Sequence, residues 1–236
     1  MSSLFALLEQ DVRFREGLIA CMNCGVCTAI CPAAEFYNYD PRMIVETLQR
    51  RDEGSLRDLL SGETIWYCGQ CMSCKTRCPR GNVPGMLISA LRELSQRTGL
   101  FVESEKGRQQ YAIKKSVGEN ILKYGYCIHP EAVLPALHPE QGPVWKWIHE
   151  NRHELYERLG GNLDKEGAGV LRKISKEALL DLKKIFDVTG NTELFEQIEK
   201  ASERKAREMG LDFDNTAGNE YWHFVYTENN EQAHTD

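Results

Sequence analysis

Apolar side chains recur along this chain at intervals of three and four, and the strict alternation of a half-buried strand is absent. Val83, Met86, Leu87, Ala90, Leu91 and Leu94 form the clearest stripe and predict an amphipathic helix that ends by Gly99. Upstream, Asp40 suits an N-cap and Pro41 the first helical position, with Ile44 and Leu48 one turn apart and Gly54 as the expected stop. Residues 55–60 predict a further short helix. Leu4, Leu8 and Val12 predict one amphipathic helix within the first 20 residues. Past residue 100 the same period returns in Val117, Ile121 and Tyr124, and Pro130, Pro135, Pro139 and Pro143 mark a loop-rich connection. Val144, Ile148, Leu155 and Leu159 make another stripe, closed by Gly160 and Gly161. Leu179, Leu182, Ile185 and Phe186 follow, with Gly190 as a stop. Thr192 is the expected cap of a last helix reaching Met209 and Gly210, with Leu194, Phe195 and Ile198 inward. The pattern predicts an all-α protein.

Two cysteine runs interrupt it. Residues 21–32 read Cys-Met-Asn-Cys-Gly-Val-Cys-Thr-Ala-Ile-Cys-Pro, and residues 68–79 read Cys-Gly-Gln-Cys-Met-Ser-Cys-Lys-Thr-Arg-Cys-Pro. Both have the form C-x2-C-x2-C-x3-C-P, the bacterial pattern for cubane [4Fe–4S] centres in which the fourth cysteine of each run serves the other cluster. On that pattern a first cluster takes Cys21, Cys24, Cys27 and Cys78, and a second takes Cys68, Cys71, Cys74 and Cys31. Three closely spaced thiolates wrap one inorganic core and the fourth arrives from elsewhere, so the clusters staple the two halves together. Pro32 and Pro79 fix φ and remove a backbone donor where the chain leaves each site. Disulfides would suit a small secreted scaffold, and structural zinc uses separated Cys/His pairs, so neither fits two runs of four. The runs are an internal pseudo-repeat with an offset of 47 residues. With helical spacers in place of strands, the cofactor-binding part is expected to be an alpha-helical ferredoxin domain rather than a β-rich one.

At 236 residues with 42% hydrophobic and 27% charged content, the chain has the composition of a soluble globular protein. It contains no apolar run long enough to cross a membrane. The start lacks a basic n-region, Glu9 and Asp11 break its apolar stretch, and no twin-arginine motif is present, so the expected compartment is the cytoplasm. Residues 1–100 carry 11 Lys/Arg and 11 Asp/Glu, which leaves the whole net charge of −6 to the remainder and argues against a nucleic-acid partner. In the second run Lys75, Arg77 and Arg80 predict that its cluster is reduced first, because cations favour added negative charge.

The expected organisation is a ferredoxin domain over residues 1–100, a helical C-terminal extension over 101–210 and an acidic tail over 211–236. The tail is short of helix signals yet holds Tyr221, Trp222, Phe224 and Tyr226, which implies docking on this chain or on another subunit. Cys127 is expected to be an ordinary half-buried thiol; with His129 it supplies only two ligands, too few to define a site. His138, His149, His153, His223 and His234 show no ligand-like grouping. No Ser-His-Asp set, glycine-rich phosphate loop or Cys-His pair offers chemistry of its own.

The two runs, the helical spacer between Cys31 and Cys68, and the stretch Thr-Ile-Trp-Tyr-Cys-Gly-Gln-Cys-Met-Ser-Cys resemble the C subunit of heterodisulfide reductase (HdrC-like) over about residues 15–100. The cluster domain is also similar to those of fumarate reductase, succinate dehydrogenase and glycolate oxidase. Fumarate-reductase-type subunits begin with a [2Fe–2S] domain, for which no cysteines precede Cys21. Cys-Cys-Gly motifs mark glycolate oxidase relatives and the heterodisulfide reductase B subunit, whereas no two cysteines are adjacent here. The longer helical C-terminus resembles the heterodisulfide-reductase-like complex of sulfur-oxidising bacteria. The resemblance implies an electron-transfer subunit relaying single electrons between an FAD-containing A subunit (HdrA-like) and a catalytic B subunit (HdrB-like) with a thiol/disulfide centre. Two alternatives stand beside it: the iron–sulfur subunit of another flavin-dependent dehydrogenase, and an iron–sulfur interaction or regulatory protein.

Overall fold

The structure, a computed structural model, describes residues 3–214 and 216–228, of which residues 227 and 228 are described by backbone alone. No strand occurs among the described residues, as the periodicity predicts. The chain divides into two compact units, residues 1–108 and 109–236.

In the first unit, polar side chains set where each helix begins. Residues 1–20 contain two helices rather than one, α1 (Leu4–Leu8) and α2 (Val12–Gly17), because Asp11 accepts from the Arg13 N–H and starts a new helix. Val12 is consequently exposed, while Leu8 remains buried. Short helices α3 (Val26–Ala29) and α4 (Ala33–Phe36) follow the first cysteines. Helix α5 (Pro41–Arg50) starts as expected, with Asp40 accepting from Arg42 and Met43 and Pro41 in the first turn. It ends at Arg51 in the left-handed region, before the predicted stop. Gly54 instead lies inside α6 (Glu53–Ser61), because Asp52 caps that helix by accepting from Ser55. A 3-10 turn (Thr64–Tyr67) leads into the second run, followed by α7 (Ser73–Arg77). The long helix α8 (Pro84–Thr98) ends at Gly99 with φ 74°, a conformation that favours glycine.

Leu8, Ile44, Leu48, Leu56, Leu60, Ile65, Leu87 and Leu91 are the centre of this unit, each at most 1% exposed. Full burial of such a side chain stabilises the fold by roughly 1.5–3 kcal/mol. Helix α2 lies close against α8: a Cβ on Gly17 would meet Leu87 Cδ2 at 3.2 Å. Cys21, Cys31 and Cys68 are half-buried against the same core, so the helices that make the core also hold the thiols.

The second unit begins within α9 (Glu105–Ile113) and continues through a π-helical stretch (Lys114–Gly118) into α10 (Glu119–Tyr124). Lys114 and Lys115 are buried there and pair with Glu119 and Glu199. The stripe predicted across 144–159 is two helices, α11 (Gly142–Glu150) and α12 (Arg152–Arg158), separated at Asn151. Its end members Val144 and Leu159 are exposed, so that stripe is not a core seam. Helix α13 (Lys176–Val188) is capped by Ser175, and α14 (Asn191–Met209) ends at Gly210. Thr192 sits inside α14 rather than capping it, its hydroxyl donating to Asp187 at 2.5 Å.

The tail, short of helix signals in sequence, nonetheless holds one short helix: Asn219 caps α15 (Glu220–His223) by accepting from the Trp222 N–H. Tyr221 and Trp222 are fully buried within this unit, with Tyr221 5.5 Å from Tyr111 and Trp222 stacked on Tyr226 at 4.5 Å. Of the two dockings open to these aromatics, the described residues show the one on this chain. Residues 229–236, with His234, lie outside the described residues. Cys127 is exposed rather than half-buried, whereas His129 is buried and stacked on Tyr124. Among the described residues no helix is long and apolar enough to cross a membrane.

Candidate iron–sulfur centres

The pseudo-repeat in the cysteine runs is also a repeat of backbone conformation. Asn23 and Gly25 have φ 61° and 76°, and their counterparts 47 positions on, Gln70 and Met72, have φ 53° and 59°. These left-handed residues curl each loop so that an N–H points back at its leading thiol. Asn23 N–H donates to Cys21 Sγ at 3.4 Å, and Gln70 N–H donates to Cys68 Sγ at 3.4 Å. Helix α3 and helix α7 then begin at Val26 and Ser73, again 47 apart.

Two small spaces open between these loops. The first is lined by Cys21, Cys24, Cys27 and Cys78, together with Arg42, Arg80 and Asn82. The second is lined by Cys31, Cys68, Cys71 and Cys74, together with Cys27, Tyr39 and Gly85. Cys27 and Pro84 line both, so the spaces are neighbours. Cys78 of the second run thus lines the first space, and Cys27 and Cys31 of the first run line the second. A wider groove in the second unit is an open surface lined by lysines, glutamates and leucines; thiol chemistry places the candidate site at the smaller spaces.

Each run is tied down by the rest of its unit. Gln49 on α5 accepts from the Cys21 N–H at 2.7 Å and donates to the Cys21 carbonyl at 3.4 Å. Buried Asn82 accepts from the Ile19 N–H at 2.7 Å and donates to the Ala20 carbonyl at 3.3 Å. Its amide also reaches Cys78 Sγ at 3.8 Å, so one side chain ties the entry of the first run to the end of the second. At the other site Arg92 on α8 donates to the carbonyls of Ile65, Trp66 and Cys68 at 2.7, 2.9 and 2.6 Å. Thr28 donates to Asp40, which also pairs with Arg42 at 2.9 Å.

The thiols are not equivalent as acids. Burial pushes Cys27 and Cys74 upward, while the hydroxyl and N–H of Ser73 draw exposed Cys71 downward. Asp40 is held below the usual carboxylate range: its partial burial opposes this, and hydrogen bonds from Thr28, Arg42 and the α5 N-terminus outweigh it.

The donor set fits a polynuclear iron–sulfur group. All nine cysteines are free thiols, which removes the disulfide reading. A zinc ion would draw its thiolates to about 2.3 Å from one point. Among the described residues no group of three or more His, Cys, Asp or Glu side chains gathers about a single ion in that way. Tyr39, whose buried hydroxyl lacks a well-formed hydrogen bond, lines the second space. The grouping expected for the cations changes, however. Lys75, Arg77 and Arg80 are all exposed, and Arg80 lines the first space rather than the second, because Cys78 carries its neighbours there. No motif or period singles out Gln49, Asn82 or Arg92, whose roles arise from helices packing across the runs.

Comparisons with known proteins agree with this chemistry. Residues 17–82 match the 4Fe-4S dicluster domain family. The C subunit of the ferredoxin:CoB-CoM heterodisulfide reductase of Methanosarcina acetivorans is 35% identical over 154 residues, covering 64% of this chain and 58% of that protein. The iron-sulfur C subunit of the CoB–CoM heterodisulfide reductase of Methanopyrus kandleri is 30% identical over 123 residues, covering 50% of this chain and 62% of its own length. The C subunit of the H(2):CoB-CoM heterodisulfide,ferredoxin reductase of Methanothermobacter marburgensis is 28% identical over 103 residues, covering 44% and 54%. The chain thus spans less than two thirds of each of these relatives. Two free-thiol loops of one design and a matching dicluster domain make this an iron–sulfur protein with two [4Fe–4S] clusters, similar in sequence to C subunits of heterodisulfide reductase.

Proposed function

We propose that this chain is the electron-transfer subunit of a heterodisulfide-reductase-like complex, relaying single electrons between an FAD-containing A-type subunit and a B-type subunit with a thiol/disulfide centre. Cys21, Cys24, Cys27 and Cys78 hold one cluster, and Cys68, Cys71, Cys74 and Cys31 hold the other. The observation that carries this reading is the pair of adjoining cysteine-lined spaces, each with one wall from the opposite run and with Cys27 and Pro84 in common. Neighbouring centres suit a relay, in which the protein holds the clusters at fixed spacing and tunes their potentials. The cluster domain is the first unit, the helical remainder is an extension of it, and the complex works in the cytoplasm. Anaerobic affinity capture of this chain from its native source tests the reading: A-type and B-type subunits should co-purify. Capture of a different flavin dehydrogenase instead, or disulfide reductase activity from the isolated chain, would overturn it.

A further inference from the structure

Behind the second cysteine-lined space stand two polar side chains whose partners do not account for them. Arg92 is half-buried, and its guanidinium donates only to backbone carbonyls while lying 5.5 Å from the Trp66 ring centroid. No carboxylate pairs with it among the described residues. An arginine stays charged in any protein, and an enclosed cation without a counter-ion is costly to fold around. Tyr39 is 3% exposed and lines the second space, yet its hydroxyl has no well-formed hydrogen bond. A buried O–H left without a partner is likewise costly. Cys31 and Cys68 line the same small space as Tyr39. Both side chains therefore converge on Cys68 as though a negative group belonged there.

The first site is built otherwise. Its leading cysteine is clamped by the neutral amide of Gln49, and the charge of Arg42 is cancelled by Asp40. Arg80 reaches that space from an exposed position, where water and salt screen it.

We infer that Tyr39 and Arg92 form a positive cradle for the second cluster, the Tyr39 hydroxyl donating to Cys68 Sγ and Arg92 fixing the Cys68 carbonyl while supplying an uncancelled positive charge, so that this cluster has the higher reduction potential of the two. The inference rests on the assignment of Cys31, Cys68, Cys71 and Cys74 to that cluster. Reduction adds one electron and one unit of negative charge there, and no bond forms or breaks. Hydrogen bonds to cluster sulfurs and nearby charge are established determinants of such potentials. Tyr39 and Arg92 are positioning residues in this account: they act through Cys68.

The test is a dithionite titration with redox mediators, followed by electron paramagnetic resonance, on full-length protein with both clusters loaded and iron counted. Cys24→Ser and Cys71→Ser identify which signal belongs to which run. Arg92→Gln should lower the potential of the Cys71-dependent signal by about 59 mV, a tenfold change in a one-electron equilibrium. Arg92→Lys should restore part of that shift, and Tyr39→Phe should lower the same signal by a smaller amount. The Cys24-dependent signal should stay in place in all three. Unmoved potentials in fully loaded Tyr39→Phe and Arg92→Gln would overturn the inference, as would a shift confined to the Cys24-dependent signal. Where Arg92→Gln fails to load, the near-isosteric Tyr39→Phe decides alone. Failure of the ligand reading looks different: Cys31→Ser would alter the Cys24-dependent signal.

Discussion

At the first cysteine-lined space an uncharged side chain, Gln49, grips the backbone of the leading cysteine, whereas at the second the guanidinium of Arg92 does so. The two loops repeat the same left-handed residues and the same N–H to Sγ contacts 47 positions apart. Their surroundings do not repeat, since α5 stands behind one and α8 behind the other. A duplicated loop therefore brings a duplicated cofactor, and the unduplicated helices give each copy its own electrostatics. The comparison also explains why charge near a cysteine in sequence is a poor guide. Arg80 follows Cys78 closely but lines the first space, and Arg92 lies 14 positions beyond Cys78 yet reaches Cys68.

The largest expected effect breaks the crossover itself. Cys31→Ser should damage the Cys68/Cys71/Cys74 cluster and Cys78→Ser the Cys21/Cys24/Cys27 cluster, each lowering iron from about eight toward about four per chain. Iron analysis and spectroscopy of the two variants check this. A loss confined to each cysteine's own run would return every fourth ligand to its neighbours in sequence.

Cutting the clamps comes next. Arg92→Ala strands three partly enclosed carbonyls, and each unmet group costs about 1–3 kcal/mol. Gln49→Ala frees only one N–H and one C=O at an exposed position, so its cost should be nearer 1 kcal/mol. Urea midpoints of the loaded variants should therefore fall further for Arg92→Ala. Equal midpoints would mean that the two clamps carry equal weight despite their charge.

A third variant narrows the difference between the sites. Asp40→Ala removes the α5 cap, at a cost of about 1 kcal/mol, and releases Arg42 beside the first space. The potential of the first cluster should rise toward that of the second. Asp40 also sets a pH expectation. Its folded pKa lies below its unfolded value of 3.8, so its contribution is complete above that value and is lost as pH falls through the lower folded one. Acid titrations of wild type and Asp40→Ala should therefore differ in stability near neutrality and converge only in strong acid.

The smallest effect is expected from the exposed cations of the second run. Lys75→Gln and Arg77→Gln should move the second cluster little, because solvent screens charges held in water. Arg80→Gln should move the first cluster, if either. A large shift of the second cluster in any of the three would return the electrostatic control to the run itself.

The cysteine spacing alone was enough to name the cofactor, because cluster ligation is a local demand for thiolates at set intervals. The helical class was legible for a similar reason: amphipathic stripes such as Leu87, Leu91 and Leu94 and caps such as Asp40 act within one or two turns. Boundaries that depend on competing caps were harder to place. Asp11 divided the first helix and Asp52 carried a helix through Gly54, each by a side-chain hydrogen bond that periodicity does not register. Tertiary structure decided the rest. The fully buried Tyr221 and Trp222 gained an inward place only when α15 packed near Tyr111. Tyr39, Asn82 and Arg92 became part of the cluster surroundings only when distant segments met at Cys68 and Cys78. Electrostatic influence follows distance in space, and one sequence encodes that distance only through the completed fold.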